Sequence, residues 1–265
     1  MKKVTLIDIG ELGWSLEISA YARWLRKYHH QVEVITYADR TALYPNCQVT
    51  CIGPIKNAVL DGMGVLKVDR REVLRDLRRL AKYKVPPEMT LRFSRFWGRR
   101  QIFKAYRVVA KKKPCILIFP RARPWKHARR NLPREYYTGL ISRLHPLRVV
   151  AIGKPGFSYK LDVSEKLNFH SFVQDGTTIQ NVIDYCGTAY CTIGSQSALP
   201  KLALLQGVPT FMIGHQKDRH VKRENWMSTE AGFYELPTDN YKELDIEDCI
   251  SKTIAWVSRF LPKSI

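Results

Sequence analysis

The second half of the chain alternates short apolar runs with amphipathic stretches, and no other feature narrows its fold so far. Residues 115–119 form a strand-length apolar run without a charge. A helical stretch over 133–144 follows, with Pro133 expected in its first turn. Strands are then predicted over 147–152, 189–193 and 209–213, and helices over 177–185, 197–206 and 246–260. Gly207 closes the helix over 197–206. Apolar strands separated by helix-length segments are buried on both faces of a parallel sheet, which predicts a doubly wound α/β unit.

The first half opens the same way. A strand over 4–9 turns at Gly10-Glu11-Leu12-Gly13 into a helix over 14–28. Trp14, Ile18, Tyr21, Leu25 and Tyr28 repeat along one face of that helix. Strands over 32–36 and 49–52 complete a β-α-β unit with a right-handed crossover. The middle differs. A predicted helix over 68–83 carries Arg70, Arg71, Arg75, Arg78, Arg79 and Lys82, and Pro86-Pro87 ends it. Arg92, Arg95, Arg99, Arg100, Lys104 and Arg107 follow, interleaved with Phe93, Phe96, Trp97, Phe103 and Tyr106. Lys111-Lys112-Lys113-Pro114 marks the expected boundary between two Rossmann-like domains, 1–112 and 113–265.

Forty-four Lys and Arg against 24 Asp and Glu leave a formal charge of +20. A compact chain with that charge repels itself, so a polyanionic partner is expected; a generally basic proteome is the plainer reading. The six cysteines form no C-x-x-C pair and read as buried structural thiols. No run approaches about 18 apolar residues and the start lacks a signal-peptide core, so a cytoplasmic protein is expected, in host cytoplasm if viral.

In an open α/β sheet, ligands bind beyond the carboxyl ends of the strands. Four loops of the second half belong there. Arg121 and Arg123 follow the first strand, with Arg129 and Arg130 before the next helix; guanidinium groups there clamp phosphate, or form a solvated basic loop. Lys154 lies in Gly153-Lys154-Pro155-Gly156, a close-approach loop or an ordinary turn. Ser195, Gln196 and Ser197 lead into a helix whose free N–H groups suit a phosphate; either serine could equally be the N-cap. His215 ends the fourth loop as a ligand contact or an incidental histidine. With Asp218 and His220 its spacing fits no common metal signature, so no metal is expected.

The order of these motifs over about residues 116–214 resembles the C-terminal domain of GT-B-fold glycosyltransferases, most of all the heptosyltransferase-like (family nine) group. The matching strings are Ile118-Phe119-Pro120-Arg121-Ala122-Arg123, then Arg130-Asn131-Leu132-Pro133, then Ile193-Gly194-Ser195-Gln196-Ser197 and Gln206-Gly207-Val208-Pro209. The group has Asp-Ser-Gly and a following His at the turn where this chain has Ser195-Gln196-Ser197. The resemblance implies a compact GT-B architecture of two doubly wound domains, with the last helix a candidate to pack back on the first. It implies a metal-independent enzyme without a cofactor and with a nucleotide-diphosphate sugar as co-substrate. Arg121, Arg123, Arg130, Lys154, Ser195, Gln196, Ser197 and His215 would hold the donor. It also implies an acidic base in the first β–α turn, where Glu11 stands; the alternative for Glu11 is a helix-dipole partner, and Asp8 is the next candidate.

Gly13 and Trp14 beside that turn, with Arg75, Arg79, Arg95, Trp97 and Arg99 from the basic stretch, are the expected acceptor residues. Basic residues neutralise phosphates and interleaved aromatics stack on bases, which suits hydroxymethylated DNA, as for phage-type DNA glycosyltransferases, and also a phosphorylated lipid-linked glycan. The high total charge and the lack of an evident insertion helix rank DNA slightly ahead, and a solvated helix face with core aromatics is the plainer reading. A flipped-out base would then be the target. Lipopolysaccharide or another surface glycan is the second reading, with peripheral membrane contact through basic and aromatic residues. A non-enzymatic nucleic-acid-binding α/β protein and a nucleotide-sugar epimerase complete the alternatives.

Overall fold

The computed structural model describes residues 3–8, 12–27, 30–52, 59–60, 66–67, 114–124, 128–215 and 230–262. The chain divides into two compact units, Met1–Ile102 and Phe103–Ile265. The expected boundary at 112/113, the turn holding Glu11, and Arg75, Arg79, Arg95, Trp97 and Arg99 lie outside the described residues.

In the first unit, β1 (Lys3–Asp8), β2 (Gln31–Tyr37) and β3 (Gln48–Ile52) form a parallel sheet in that order. Helix α1 (Leu12–Lys27) crosses from β1 to β2, burying Leu16, Ile18, Ala22 and Leu25. Two short strands, β4 (Val59–Leu60) and β5 (Leu66–Lys67), pair antiparallel.

Asp8, at the carboxyl end of β1, is fully buried. Its Oδ1 accepts from Ser15 Oγ at 2.8 Å and from Arg40 Nη1 at 3.4 Å. Its Oδ2 accepts from Tyr44 Oη at 2.6 Å and Thr36 Oγ1 at 3.0 Å. Burial, and after it the Asp8 charge, holds the Tyr44 phenol well above its ordinary range, so the phenol stays a donor. Four donors on a carboxylate closed to solvent make an anchor that joins β1, α1, β2 and the Ala38–Leu43 turn. That geometry gives Asp8 a structural role, with two hydrogen bonds accepted on each oxygen of a buried carboxylate.

The second unit is a six-stranded parallel sheet: β6 (Cys115–Phe119), β7 (Val149–Ala151), β8 (Phe169–Ser171), β9 (Ala189–Ser195), β10 (Thr210–His215) and β11 (Ala231–Leu236). Their spatial order is β8-β7-β6-β9-β10-β11. This is the doubly wound order, with the reversal between β6 and β9. The sequence reading places neither edge strand, β8 or β11. Helix α2 is Arg134–Leu144 and begins one residue after Pro133, which sits before it in extended conformation (φ −55°, ψ 145°) rather than in its first turn. Helices α3 (Ile179–Cys186), α4 (Ala198–Leu205) and α5 (Ile246–Val257) follow, with a 3-10 turn at Ser258–Phe260 closing α5. Thr178 opens α3 with a reciprocal capping box to Asn181.

Ile116, Ile118, Cys191, Ile193, Phe211 and Ile213 pack with Tyr136, Leu140, Cys249, Ile250 and Trp256 of α2 and α5 in one core. Full burial of each large side chain there contributes about 1.5–3 kcal/mol. Within the second unit, α5 packs on α2 and β11. Cys115, Cys186, Cys191 and Cys249 are buried as expected, Cys47 is half-buried, and Cys51 is exposed on edge strand β3. Burial first, and then Cys115, raises the Cys186 and Cys191 thiols well above their ordinary range, which leaves them unreactive. Among the described residues, no helix is long and apolar enough to cross a membrane.

Candidate functional site

The strand order reverses between β6 and β9, and the carboxyl ends of strands at such a reversal are where open α/β sheets bind ligands. Pro120 and Arg121 leave β6 there, and Gln196 and Ser197 leave β9. Arg121 Nη1 donates to the carbonyl oxygen of Gln196 at 3.3 Å, so one guanidinium spans the reversal. Burial first, and then the charges of Arg123 and Arg130, push this guanidinium down to about 10. Three arginines of one β6–α2 connection therefore share an electrostatic site, and concentrated positive charge favours a bound anion.

The loop is built to hold that shape. Asn131 grips the main chain of Arg123 from both sides: its Oδ1 accepts from Arg123 N at 3.0 Å and its Nδ2 donates to Arg123 O at 2.7 Å. Residues 157–159 lie antiparallel along the first part of the loop. Ala122 N donates to Phe157 O at 2.8 Å and Tyr159 N to Pro120 O at 2.7 Å. Gly153 makes this fit possible, since a Cβ there would stand 2.0 Å from Ser158 Oγ. Its missing side chain thus admits the chain's own Ser158. Gly156 turns the loop at φ +74°. Lys154 is exposed, with Nζ 5.8 Å from the centre of the Phe157 ring. Arg129 pairs with Asp239 at 2.9 Å on the surface.

Ser197 occupies the N-cap position of α4 in extended conformation, and its side chain makes no cap hydrogen bond. The first N–H groups of α4, those of Ala198 and Leu199, are left without that cap, and the helix end carries partial positive charge. Ser195 belongs to the strand rather than the turn. A Cβ on Gly194 would meet Pro200 Cγ of α4 at 2.9 Å, so Gly194 faces α4. Ile193 belongs to the core with α2 and α5. Alternation along β9 puts Ser195 on the Ile193 side, away from the start of α4. Its Oγ is buried without a hydrogen-bond partner. Gln196 is 8% exposed; its N–H donates to Ile213 O at 3.1 Å and its Oε1 accepts from Tyr241 Oη at 3.4 Å. His215 ends β10 at 7% exposure, with Nε2 3.1 Å from the carbonyl oxygen of Pro237.

The structure thus sets Arg121, Gln196 and Ser197 together at the carboxyl ends of β6 and β9, with Arg123 and Arg130 on the same β6–α2 connection as Arg121. It places Lys154 on the neighbouring loop, Ser195 on the other face of β9, and His215 against its own chain. Gly13 lies in the first turn of α1 with open space around its Cα; Trp14 follows it there, and its side chain is outside the described residues. Sequence reasoning missed Asn131 and Tyr241. Asn131 carries a local signal, an Asn two residues before a helix-leading Pro. Tyr241 carries none, because it lies 45 residues from Gln196. No group of three or more His, Cys, Asp or Glu residues able to hold a metal occurs among the described residues.

No protein-family model matches the chain, and no curated protein matches it. Solved structures do. A glycosyl transferase of family 9 from Veillonella parvula superposes with a TM-score of 0.61 at 11% identity, over 97% of each chain. The E. coli ADP-heptose LPS heptosyltransferase II gives 0.63 at 12% identity, over 98% of this chain and 99% of the other. The E. coli heptosyltransferase WaaC with ADP gives 0.56 at 10% identity, over 96% and 99%. At such identities the likeness establishes the fold: the chain has the GT-B architecture of Rossmann-like α/β units.

Proposed function

We propose that this protein is a glycosyltransferase that takes its sugar from a nucleoside diphosphate donor. The observation that carries the reading is Arg121 reaching across the strand reversal to Gln196, beside Arg123, Arg130 and a helix start that Ser197 does not cap. Fixed cations and N–H dipoles at one point stabilise charge that develops on a leaving diphosphate. Residues 113–265 would then form the donor half and 1–112 the acceptor half.

In the proposed step, an acceptor hydroxyl oxygen bonds to the anomeric carbon and the bond from that carbon to the diphosphate oxygen breaks. The diphosphate departs with the electron pair toward Arg121 and the start of α4. The hydroxyl proton passes to a base, a role the family resemblance gives to Glu11.

A surface glycan of the lipopolysaccharide class is the preferred acceptor. The solved neighbours favour it over DNA, since one is named for transfer of heptose from ADP-heptose to lipopolysaccharide. The high positive charge fits such an acceptor equally well, because phosphorylated glycans are polyanionic. The test incubates the full chain with ADP-heptose and a panel of other nucleotide sugars. Heptose-deficient lipopolysaccharide and hydroxymethylated DNA serve as acceptors, with mass spectrometry of the products. Sugar added to the glycan is expected. Transfer to DNA alone would replace the acceptor, and neither transfer nor donor hydrolysis with any sugar would remove the enzymatic reading.

A further inference from the structure

Beside the candidate anion site lies a buried residue that no motif marks. Tyr241 sits in the Tyr241–Glu243 turn after β11 and is fully buried. Its hydroxyl donates to Gln196 Oε1, while the main chain of Gln196 is engaged on two sides: its carbonyl by Arg121 and its N–H by Ile213. Gly214 makes room for the contact, since a Cβ there would lie 3.1 Å from Tyr241 Oη and 3.3 Å from Gln196 Oε1. The connections after β6 and β11 and the end of β10 thus meet at Gln196. Gln196 stands between the end of β9 and the N-cap of α4, so its orientation fixes how the helix start faces Arg121.

We propose that Tyr241 is a positioning residue for the diphosphate site, acting through the Gln196 side chain to hold the start of α4 and the Arg121 guanidinium in register. This rests on the donor-site reading above. A tyrosine that served only to fill the core would be replaceable by phenylalanine without effect on ligand. A positioning tyrosine would not, because the freed Gln196 side chain can take other rotamers and no longer braces the turn between β9 and α4. The loss of one such hydrogen bond corresponds to about a fivefold change in an equilibrium constant.

The experiment measures binding of inorganic pyrophosphate and of ADP to the full chain by titration calorimetry, well below each variant's unfolding midpoint. Tyr241→Phe, Gln196→Met and the double variant are compared with the unaltered protein. Each single variant is expected to bind about fivefold more weakly, and the double variant no more weakly than Gln196→Met, since both remove one link. Unchanged affinity in Tyr241→Phe would overturn the proposal, and so would losses that add in the double variant. Should Tyr241→Phe fail to fold, Gln196→Met decides: full affinity there refutes the role. If the unaltered protein binds neither probe, the donor-site reading fails and takes this inference with it.

Discussion

Replacing Arg121 by Met separates its two roles by sign. Burial and two neighbouring arginines depress its guanidinium from its ordinary value to about 10. That depression corresponds to an upper bound of about 3 kcal/mol by which the charge is disfavoured in the folded state. Partial solvent contact reduces it to about 1–2 kcal/mol. Methionine keeps much of the stem and removes the charge, but it forfeits the hydrogen bond to Gln196 O, worth about 1 kcal/mol. Stability should therefore change by no more than about 1 kcal/mol, or about 2–4 °C in unfolding midpoint. Binding should fall much further, about tenfold to a hundredfold for pyrophosphate, because a charge-assisted bond is lost. The pH dependence carries the same sign. A base whose folded value lies below its unfolded one binds fewer protons when folded above about pH 10, so stability gains as pH rises from there. The Arg121→Met protein should lack that contribution. Urea titrations at pH 7 and near pH 10.5, paired with calorimetry at pH 7, measure both. A variant destabilised by more than about 2 kcal/mol that still binds pyrophosphate normally would make Arg121 a structural strut and refute the reasoning.

Gly153→Ala places a methyl against Ser158 and should destabilise the second unit by about 1–3 kcal/mol in urea titration, with recovery in Gly153→Ala/Ser158→Gly; no recovery would contradict the contact. Asp8→Ala strands Ser15, Thr36, Tyr44 and Arg40 around an empty carboxylate site, so a loss of about 3–5 kcal/mol is expected, read by hydrogen exchange as lost protection in β1 and β2. Ser197→Ala should change the unfolding midpoint by less than a normal N-cap replacement, about 1 kcal/mol, since no cap bond exists to lose. Its pyrophosphate affinity should nevertheless drop, and an unaltered affinity would remove Ser197 from the site.

The central strands were legible because a parallel strand buried on both faces reads as an unbroken apolar run: residues 115–119 match β6 end to end. The edge strand Phe169–Ser171 was not, since its residues are partly or largely exposed and only pairing with β7 makes them a strand. The arginine loop and the turn into α4 were legible from their place after strands. The faces of single residues were not. Ser195 reads as part of a polar turn, yet β9 runs through it and alternation sends its side chain to the opposite side. Asp8 reads as a reactive carboxylate beside a turn, but its partners at positions 36, 40 and 44 are gathered only by tertiary folding.

The loop after β6 is braced on one flank by residues 157–159 and on the other by the Asn131 amide. The entropy of ordering residues 120–123 is therefore spent during folding, before any guest arrives. On the donor-site proposal, guest selection can then drift by exchange of the side chains at 123 and 130, while Arg121 stays tied to Gln196 and the scaffold beneath is left as it is.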